Sequence, residues 1–206
     1  MVNRHTVRRA LSYLQEKGIV ESTQGRGTFV RRPHRPAPLH RRPRFTEAVL
    51  SQGRRPEART LRLDTCPADS LVAAQLELPT GAPVIHLERL RLVDDEPVGL
   101  SLHYLSADRF PTFEEMYRTR GTITQTLIDS GVPDYTRRRT QISARASQPH
   151  EAELLRLPRH IPLLIQRYLN VDGLGRPLEY GESRGAGEVF VEFNDTPDQA
   201  EHGDPS

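Results

Sequence analysis

The opening of the chain has the hydrophobic spacing of an amphipathic helix. Its apolar positions recur at i, i+3, i+4 and i+7 and therefore share one helical face: Val7, Ala10, Leu11 and Leu14. The opposite face is polar and cationic: Arg4, His5, Arg8 and Ser12. Asn3 stands where an N-cap residue belongs, and Gly18 stands where the helix should end. The pattern predicts a helix with one packing face and one basic face.

The residues that follow have the pattern of a β hairpin. Residues 19–21 lead into a strand, the glycine-containing tip at 24–27 turns the chain, and residues 28–30 return. A basic helix followed by a hairpin with an arginine at its tip fits a winged helix-turn-helix on DNA. In that arrangement the helix enters the major groove and the wing reaches the neighbouring backbone or minor groove.

The run VNRHTVRRALSYLQEKGIVESTQGRGTFV resembles the recognition helix and wing of GntR-type bacterial transcription regulators. The resemblance implies that the helix touches bases and phosphates through Asn3, Arg4, His5, Thr6 and Arg8. It implies that the wing contributes Gln24, Gly25, Arg26 and Gly27. The implied partner is double-stranded operator DNA, bound by a homodimer on paired half-sites. The alternative reading of the basic face is a solvated surface.

The resemblance has one departure at its start. The family places two helices before this point, whereas only Met1 and Val2 precede Asn3 here. A helix and a hairpin alone bury little apolar surface, and domains below about 40 residues usually need an external staple. We expect either a start codon assigned too late or a fragment with an impaired DNA-binding module, and we favour the first.

A proline-rich segment marks the next boundary. Residues 32–43 contain four prolines and little apolar content, which predicts an extended linker. We therefore divide the chain into the C-terminal part of a winged helix-turn-helix at 1–31, a linker at 32–43, a second domain at 44–194 and a disordered tail at 195–206.

The second domain combines period-two alternation with short helical patterns. We predict strands at 57–65, 84–93, 98–105, 135–146, 163–171, 178–184 and 188–193. We predict helices at 45–53, 67–78, 112–118, 123–130 and 149–157. Strands joined mostly as hairpins imply an α+β fold with a mainly antiparallel sheet and helices against one side.

Charge divides the chain in the same way. Residues 1–59 contain 14 Lys and Arg and 4 Asp and Glu, a net charge of +10; of the totals of 29 and 27, 15 and 23 remain for residues 60–206, a net charge of −8. The basic part suits a polyanionic partner.

The single cysteine, Cys66, excludes an internal disulfide, as expected in a reducing cytoplasm. A low mean hydropathy of −0.61 and the lack of a long apolar run argue against a membrane partner.

The second domain also resembles a known module. The runs LERLRLVDDEP at 87–97, GTI at 121–123 and RPLEY at 176–180 are similar to the UTRA effector domain of the HutC branch of GntR regulators. The resemblance implies a chorismate-lyase-like fold. The first helix and the EYGESR strand at 179–184 look most like PhnF-type regulators of phosphonate metabolism.

Arg89 and Arg91 lie two apart on a predicted strand, so both side chains emerge on one face. Two guanidinium groups projecting together suit a phosphate, phosphonate or carboxylate. Thr122 and Thr46, each near a helix start, would offer a hydroxyl and backbone amides to the same anion. The alternative reading is that both arginines pair across strands with Glu88, Glu179 or Glu182.

The UTRA resemblance adds to this effector site. It implies that the equivalent arginines hold the acidic group of a small anionic effector and that Glu179 contacts the effector's polar body. It also puts Ser101 where sugar-phosphate binders often carry a carboxylate, which points away from an amino sugar.

Enzymatic and metal chemistry have weak support in the sequence. His86 and His103 could face each other on neighbouring strands, but no third ligand at suitable spacing accompanies them, so we predict no metal and no cofactor. No Gly-x-Ser-x-Gly, His-Glu-x-x-His or glycine-rich phosphate loop occurs. We predict a cytoplasmic, effector-controlled repressor that is not an enzyme. The rivals are a truncated ligand-binding module that does not touch DNA and a chorismate-lyase-like enzyme.

Overall fold

The computed structural model describes residues 3–16, 20–23, 27–30, 45–158 and 160–186. The described residues up to 30 belong to one compact unit, and residues 45–186 belong to a second. Within these ranges no helix has the length and apolar content needed to cross a bilayer. The predicted linker at 32–43, strand at 188–193 and tail at 195–206 lie outside the described residues.

The first unit contains helix α1 (Arg4–Glu16) and strands β1 (Val20–Thr23) and β2 (Gly27–Val30). Asn3 caps α1 as predicted, because its side-chain Oδ1 accepts a hydrogen bond from the His5 amide at 3.1 Å. The two strands pair antiparallel, with Thr23 opposite Gly27. Gly27 has φ = 104°, a backbone conformation that favours glycine. The predicted helix and hairpin are confirmed as elements, whereas Val7 and Ala10 of the predicted packing face are exposed.

The second unit contains the remaining elements. In chain order they are α2 (Phe45–Leu50), β3 (Pro56–Pro67), α3 (Ser70–Leu76), β4 (Pro83–Val93), β5 (Glu96–Ser106), α4 (Phe113–Arg120), α5 (Ile123–Asp129), β6 (Tyr135–Ala146), α6 (Pro149–Leu154), β7 (Pro162–Asp172) and β8 (Pro177–Gly185). The six strands form one antiparallel sheet in the order β3-β4-β5-β8-β7-β6. The α+β fold with a mainly antiparallel sheet is confirmed.

Helices pack against both faces of this sheet, so the expectation of helices on one side is wrong. Ile85 and Leu87 of β4 pack in a core with α4 and α5, whereas Val84 packs in a second core with α3. Leu90 belongs to a third core, beside the end of α6. Because β4 is apolar toward both faces, its sequence pattern could not say where the helices lie.

Helix α3 is shorter than the predicted span of 67–78. Pro67 continues strand β3, and the helix is capped by Asp69, whose Oδ1 accepts a hydrogen bond from the Val72 amide at 2.7 Å. The helix stops where Glu77 takes the left-handed conformation, with φ = 57°. Pro67 therefore closes a strand rather than opening a helix.

Candidate functional site

Two half-buried arginines lie on β4, just beyond its apolar stretch. Arg89 and Arg91 share the parity of Ile85 and Leu87 and so project from the same face of the sheet as that core. The Nε atoms of both arginines are buried and have no hydrogen-bond partner among the described residues. Buried polar groups of this kind are usually paired, which makes two unsatisfied donors side by side a signal of a missing acceptor.

The surroundings of Arg91 keep it close to the sheet. Its strand partner is Gly99, where a Cβ atom would lie 2.7 Å from the Arg91 Nη2 atom. Its Cζ atom lies 4.9 Å from the centre of the Phe45 ring at the start of α2, which is a cation–π contact. Burial is the main cause that lowers the pKa of Arg91 to about 10; Tyr168 opposes this effect, and the charge of Arg89 adds to it. The group is still cationic at neutral pH.

His103 joins one of these arginines to a buried carboxylate. Its Nε2 atom lies 3.2 Å from Arg89 Nη2 and 3.0 Å from Ser101 Oγ, and its Nδ1 atom lies 2.5 Å from Glu179 Oε1. A guanidinium can only donate and a carboxylate can only accept. We therefore assign the Nδ1–H tautomer, which donates to Glu179 and accepts from Arg89.

The charge states of this pair follow from its burial and its hydrogen bonds. Burial is the main cause that lowers the pKa of His103 to about 4; the charges of Arg89 and Arg91 act in the same direction, and Glu179 opposes them. Burial would raise the pKa of Glu179, but the hydrogen bonds from His103 and Asn170 and the charges of His103 and Arg137 lower it to about 2. At neutral pH the site therefore holds a neutral imidazole and an ionised carboxylate.

Strands β6 and β7 complete the wall of the site. The Tyr168 hydroxyl donates to Glu179 Oε1 at 3.2 Å, and Asn170 Nδ2 donates to Glu179 Oε2 at 2.8 Å. Arg137 donates from Nε to Asn170 Oδ1 at 2.8 Å, and its Cζ atom lies 3.8 Å from the centre of the Tyr168 ring. The Tyr168 ring lies on Gly181, where a Cβ atom would collide with it. Both oxygens of Glu179 are thus engaged by protein donors.

We call this set the polar face: Arg89, Arg91, Ser101, His103, Arg137, Tyr168, Asn170 and Glu179. It contains three arginines and one carboxylate, and His103 stands between that carboxylate and Arg89. The site thus has a positive excess. An anion bound at the two Nε–H groups would receive charge-assisted hydrogen bonds.

The alternative pairing of the arginines on β4 is not what the described residues show. Glu182 binds Arg167 at 2.7 Å and Arg184 at 2.6 Å, and Glu88 lies 4.0 Å from Arg184. These groups lie on the opposite face of the sheet, because Arg184 is paired with Ile165 and Leu100 of the third core. The carboxylates are therefore used elsewhere.

The structure gives the two threonines less defined positions. Thr122 caps α5: its hydroxyl accepts a hydrogen bond from the Gln125 amide at 3.4 Å. Because α5 packs on the core that includes Ile85 and Leu87, Thr122 begins a helix on the same side of the sheet as the arginines. Thr46 is exposed and follows Phe45, which contacts Arg91. Their part in anion binding stays a prediction.

Sequence reasoning missed four members of the polar face: His103, Arg137, Tyr168 and Asn170. A signal for two of them exists, since Tyr168 and Asn170 are polar residues two apart on one strand and therefore share a face of the sheet. The other two needed the strand order. His86 and His103 do not face each other, because His86 pairs with Tyr104 and projects from the opposite side. No metal-binding group of His, Cys, Asp and Glu occurs in the ranges that the structure covers.

The basic face of α1 is exposed as predicted. A shallow cleft on the helix is lined by Arg4, His5, Val7 and Arg8. Asn3 and Thr6 are exposed as well, and Asn3 also serves as the cap. Gly27 begins β2, whereas Gln24, Gly25 and Arg26 lie outside the described residues. Contact of these residues with DNA stays a prediction.

Two family models match the chain. The model described as "UTRA domain" matches residues 51–190, and the model described as "Bacterial regulatory proteins, gntR family" matches residues 1–30. The two matches lie on either side of the predicted linker, although the exact domain boundaries stay predictions.

Curated relatives and solved structures point the same way. The chain is 37% identical over 184 residues to the Escherichia coli protein named "Probable transcriptional regulator PhnF", which covers 88% of this chain and 76% of the relative. It is 32% identical over 171 residues to the "HTH-type transcriptional repressor PhnF" of Mycolicibacterium smegmatis, covering 83% and 69%. The crystal structure of PhnF from Mycobacterium smegmatis matches with a TM-score of 0.68 and 27% identity, covering 95% of this chain and 87% of that one.

Proposed function

Because the chain belongs to the GntR family of bacterial transcriptional regulators and carries a UTRA domain, we propose that it is a repressor controlled by a small dianionic effector. The effector binds at the polar face, and its binding changes the affinity of the basic helix and wing for operator DNA. The regulator works as a homodimer in the cytoplasm, where the bacterial chromosome lies, and it is not an enzyme.

The observation that carries the effector proposal is the pair of unsatisfied donors on β4. Arg89 Nε and Arg91 Nε are both buried without a hydrogen-bond partner among the described residues. Leaving a buried charged donor unpaired is costly, on the order of 1–3 kcal/mol or more for each group. An anion that accepts from both donors removes that cost, so the two groups favour binding strongly.

Charge supports a dianion over a monocarboxylate. The polar face has three arginines and one carboxylate, and His103 is neutral, so its formal excess is +2. A phosphonate or phosphate ester is a dianion with enough oxygens to accept from two guanidinium groups at once. The resemblance to PhnF-type regulators implies the same ligand class.

The remaining predicted residues have secondary roles in this proposal. Ser101 lies opposite Arg89 in the sheet and contacts His103, so its hydroxyl borders the anion position. Glu179 is engaged on both oxygens, so it acts by anchoring His103. Thr122 and Thr46 bring hydroxyl groups from the helix starts.

The DNA part of the proposal depends on α1 and the wing. Four exposed side chains of α1 form the surface that faces the major groove: Arg4, His5, Thr6 and Arg8. Asn3 and the wing residues 24–27 contact the flanking backbone. Phosphate contacts by these arginines make binding weaken steeply with salt.

A mobility-shift experiment with the full chain tests both halves. A duplex from the upstream region of the gene should be retarded at low salt, and methylphosphonate or a simple phosphate ester should change its affinity. The double variant Arg89→Gln/Arg91→Gln should keep DNA binding and lose the ligand response by about 100-fold or more. Ligand binding without DNA binding would instead indicate a separate ligand-binding module, and a response that survives the double variant would place the effector elsewhere.

A further inference from the structure

We infer that His103 is a proton-coupled positioning residue: it holds Arg89 in the described arrangement, and it takes up one proton when an anion draws Arg89 away. The inference rests on the proposed anion site. It adds a role for His103, whose hydrogen-bonding neighbours in the structure are Arg89, Ser101, Tyr168 and Glu179. It predicts that anion binding consumes protons from solution.

The first argument is geometric. His103 is the only described side chain that contacts both Arg89 and Glu179, through opposite nitrogens of one ring. Its Nδ1 side is fixed, because Glu179 Oε1 lies at 2.5 Å and the Tyr168 hydroxyl at 3.2 Å. Its Nε2 side points toward Arg89 and Ser101, which is the side on which the anion binds. An anion that accepts from Arg89 and draws its Nη2 group away therefore removes a donor from Nε2.

The second argument is electrostatic. The charged and titratable groups facing His103 are Arg89 and Arg91 from β4, Glu179 from β8 and Tyr168 from β7, with Arg137 of β6 beyond the tyrosine. In the described arrangement the positive charges of Arg89 and Arg91 disfavour protonation of the His103 ring. A bound dianion compensates both arginines, so the neighbouring carboxylate then dominates and favours the imidazolium form.

The resulting step balances simply. Nε2 gains a proton from the solvent, and the new Nε2–H donates to an oxygen of the anion while Nδ1–H continues to donate to Glu179. The ring thus changes from acceptor to donor without moving its anchored side. A clamp made only of arginines would show no such uptake, because a guanidinium group has no acceptor site for a further proton.

Sulfate is the sharpest probe, because it is tetrahedral and remains a dianion across the whole working range of pH. Calorimetric titration of the full chain with sulfate, in two buffers of different ionisation enthalpy, counts the protons taken up. We expect uptake of about half a proton to one proton, and affinity that rises about three- to tenfold for each pH unit between about pH 8 and pH 6.

Two variants test whether His103 causes this slope of sulfate affinity against pH. His103→Gln keeps an acceptor for Arg89 and a donor for Glu179 but cannot titrate, so its sulfate affinity should lose the slope against pH. His86→Gln is the matched control, because His86 is also a buried histidine on this sheet but projects from the opposite side. It should keep the parent slope.

The outcomes separate the inference from the proposal beneath it. Sulfate binding that needs Arg89 and Arg91 but shows no proton uptake overturns the role of His103 and leaves the anion site standing. A slope that persists in His103→Gln has the same meaning. If the parent binds neither sulfate nor methylphosphonate, both the inference and the anion site are wrong.

Discussion

The two faces of the sheet use arginine in opposite ways. On the face with α3 and α6, Arg145, Arg167 and Arg184 are each paired with Glu151 or Glu182 at 2.6 to 3.2 Å. We call these five residues the ion-pair face. The polar face also has three arginines, but its single carboxylate is bound by His103, Tyr168 and Asn170. The same strands therefore carry one set of arginines that is paired with carboxylates and one set in which Arg89 Nε and Arg91 Nε have no acceptor among the described residues.

The difference teaches where binding is to be sought. Paired arginines contribute to the stability of the fold, and removing one partner leaves an uncompensated charge. Arginines whose donors lack acceptors lower stability, and their persistence at a site is best explained by a ligand. Substitutions on the ion-pair face should therefore lower the free energy of unfolding, whereas substitutions of the arginines on the polar face should abolish anion binding with little change in stability.

The largest effect is expected from Glu151→Gln on the ion-pair face. Glu151 is fully buried, binds Arg145 and Arg184, and its Oε2 atom accepts from the Gln148 amide at the start of α6. We expect the free energy of unfolding to fall by about 3 kcal/mol, because a buried charge pair is broken. Urea denaturation measures it, with Glu57→Gln at the exposed pair with Arg59 as the control. A loss no larger than that of the control would show that the pairing on this face contributes little.

The second effect is a loss of stability on acidification that belongs to the polar face. The pKa of His103 is lowered from 6.5 to about 4 in the folded chain, so between these values the unfolded chain binds more protons. Stability is therefore fully present above pH 6.5 and falls as the pH falls toward 4, by about 2 kcal/mol at about pH 5. Denaturation of the parent and of His103→Gln across this range measures it. If the free energy of unfolding changes with pH in the same way in the two proteins, His103 is not the source of the loss of stability.

The smallest expected change in stability comes from Arg91→Met. The substitution replaces a buried charge that lacks a carboxylate by an apolar side chain of similar length. We expect the free energy of unfolding to stay the same or to rise by about 1 kcal/mol, while sulfate binding is lost. Arg184→Met on the ion-pair face is the matched comparison and should destabilise. Equal destabilisation by both variants would remove the contrast between the faces.

Local patterns were sufficient to predict most elements of this fold. Short-range signals predict the N-cap at Asn3, the hairpin to Val30 and strand β6, because each of them depends on residues that are close together in the sequence. The prediction started helix α3 too early, because Pro67 fits both a strand end and a helix start. The faces on which the helices pack could not be predicted, since β4 is apolar on both sides.

The site could be predicted only in part for a related reason. The two-residue spacing of Arg89 and Arg91 is local and was visible in the sequence. The role of His103 depends on β8 lying next to β5, a pairing between residues about 80 apart in the chain that no local pattern specifies. The resemblance predicts that Glu179 contacts the effector, and that contact stays a prediction; in the structure Glu179 accepts a hydrogen bond from the His103 ring.

The contact between Tyr168 and Gly181 offers a way to recognise this arrangement in other chains. Any residue larger than glycine at position 181 would push the phenol off the backbone and release its hold on the carboxylate beneath. A homologue that carries a side chain there must place this tyrosine differently, whatever its arginines look like. The residue at position 181 therefore indicates whether a related chain can share the arrangement of Tyr168 and Glu179.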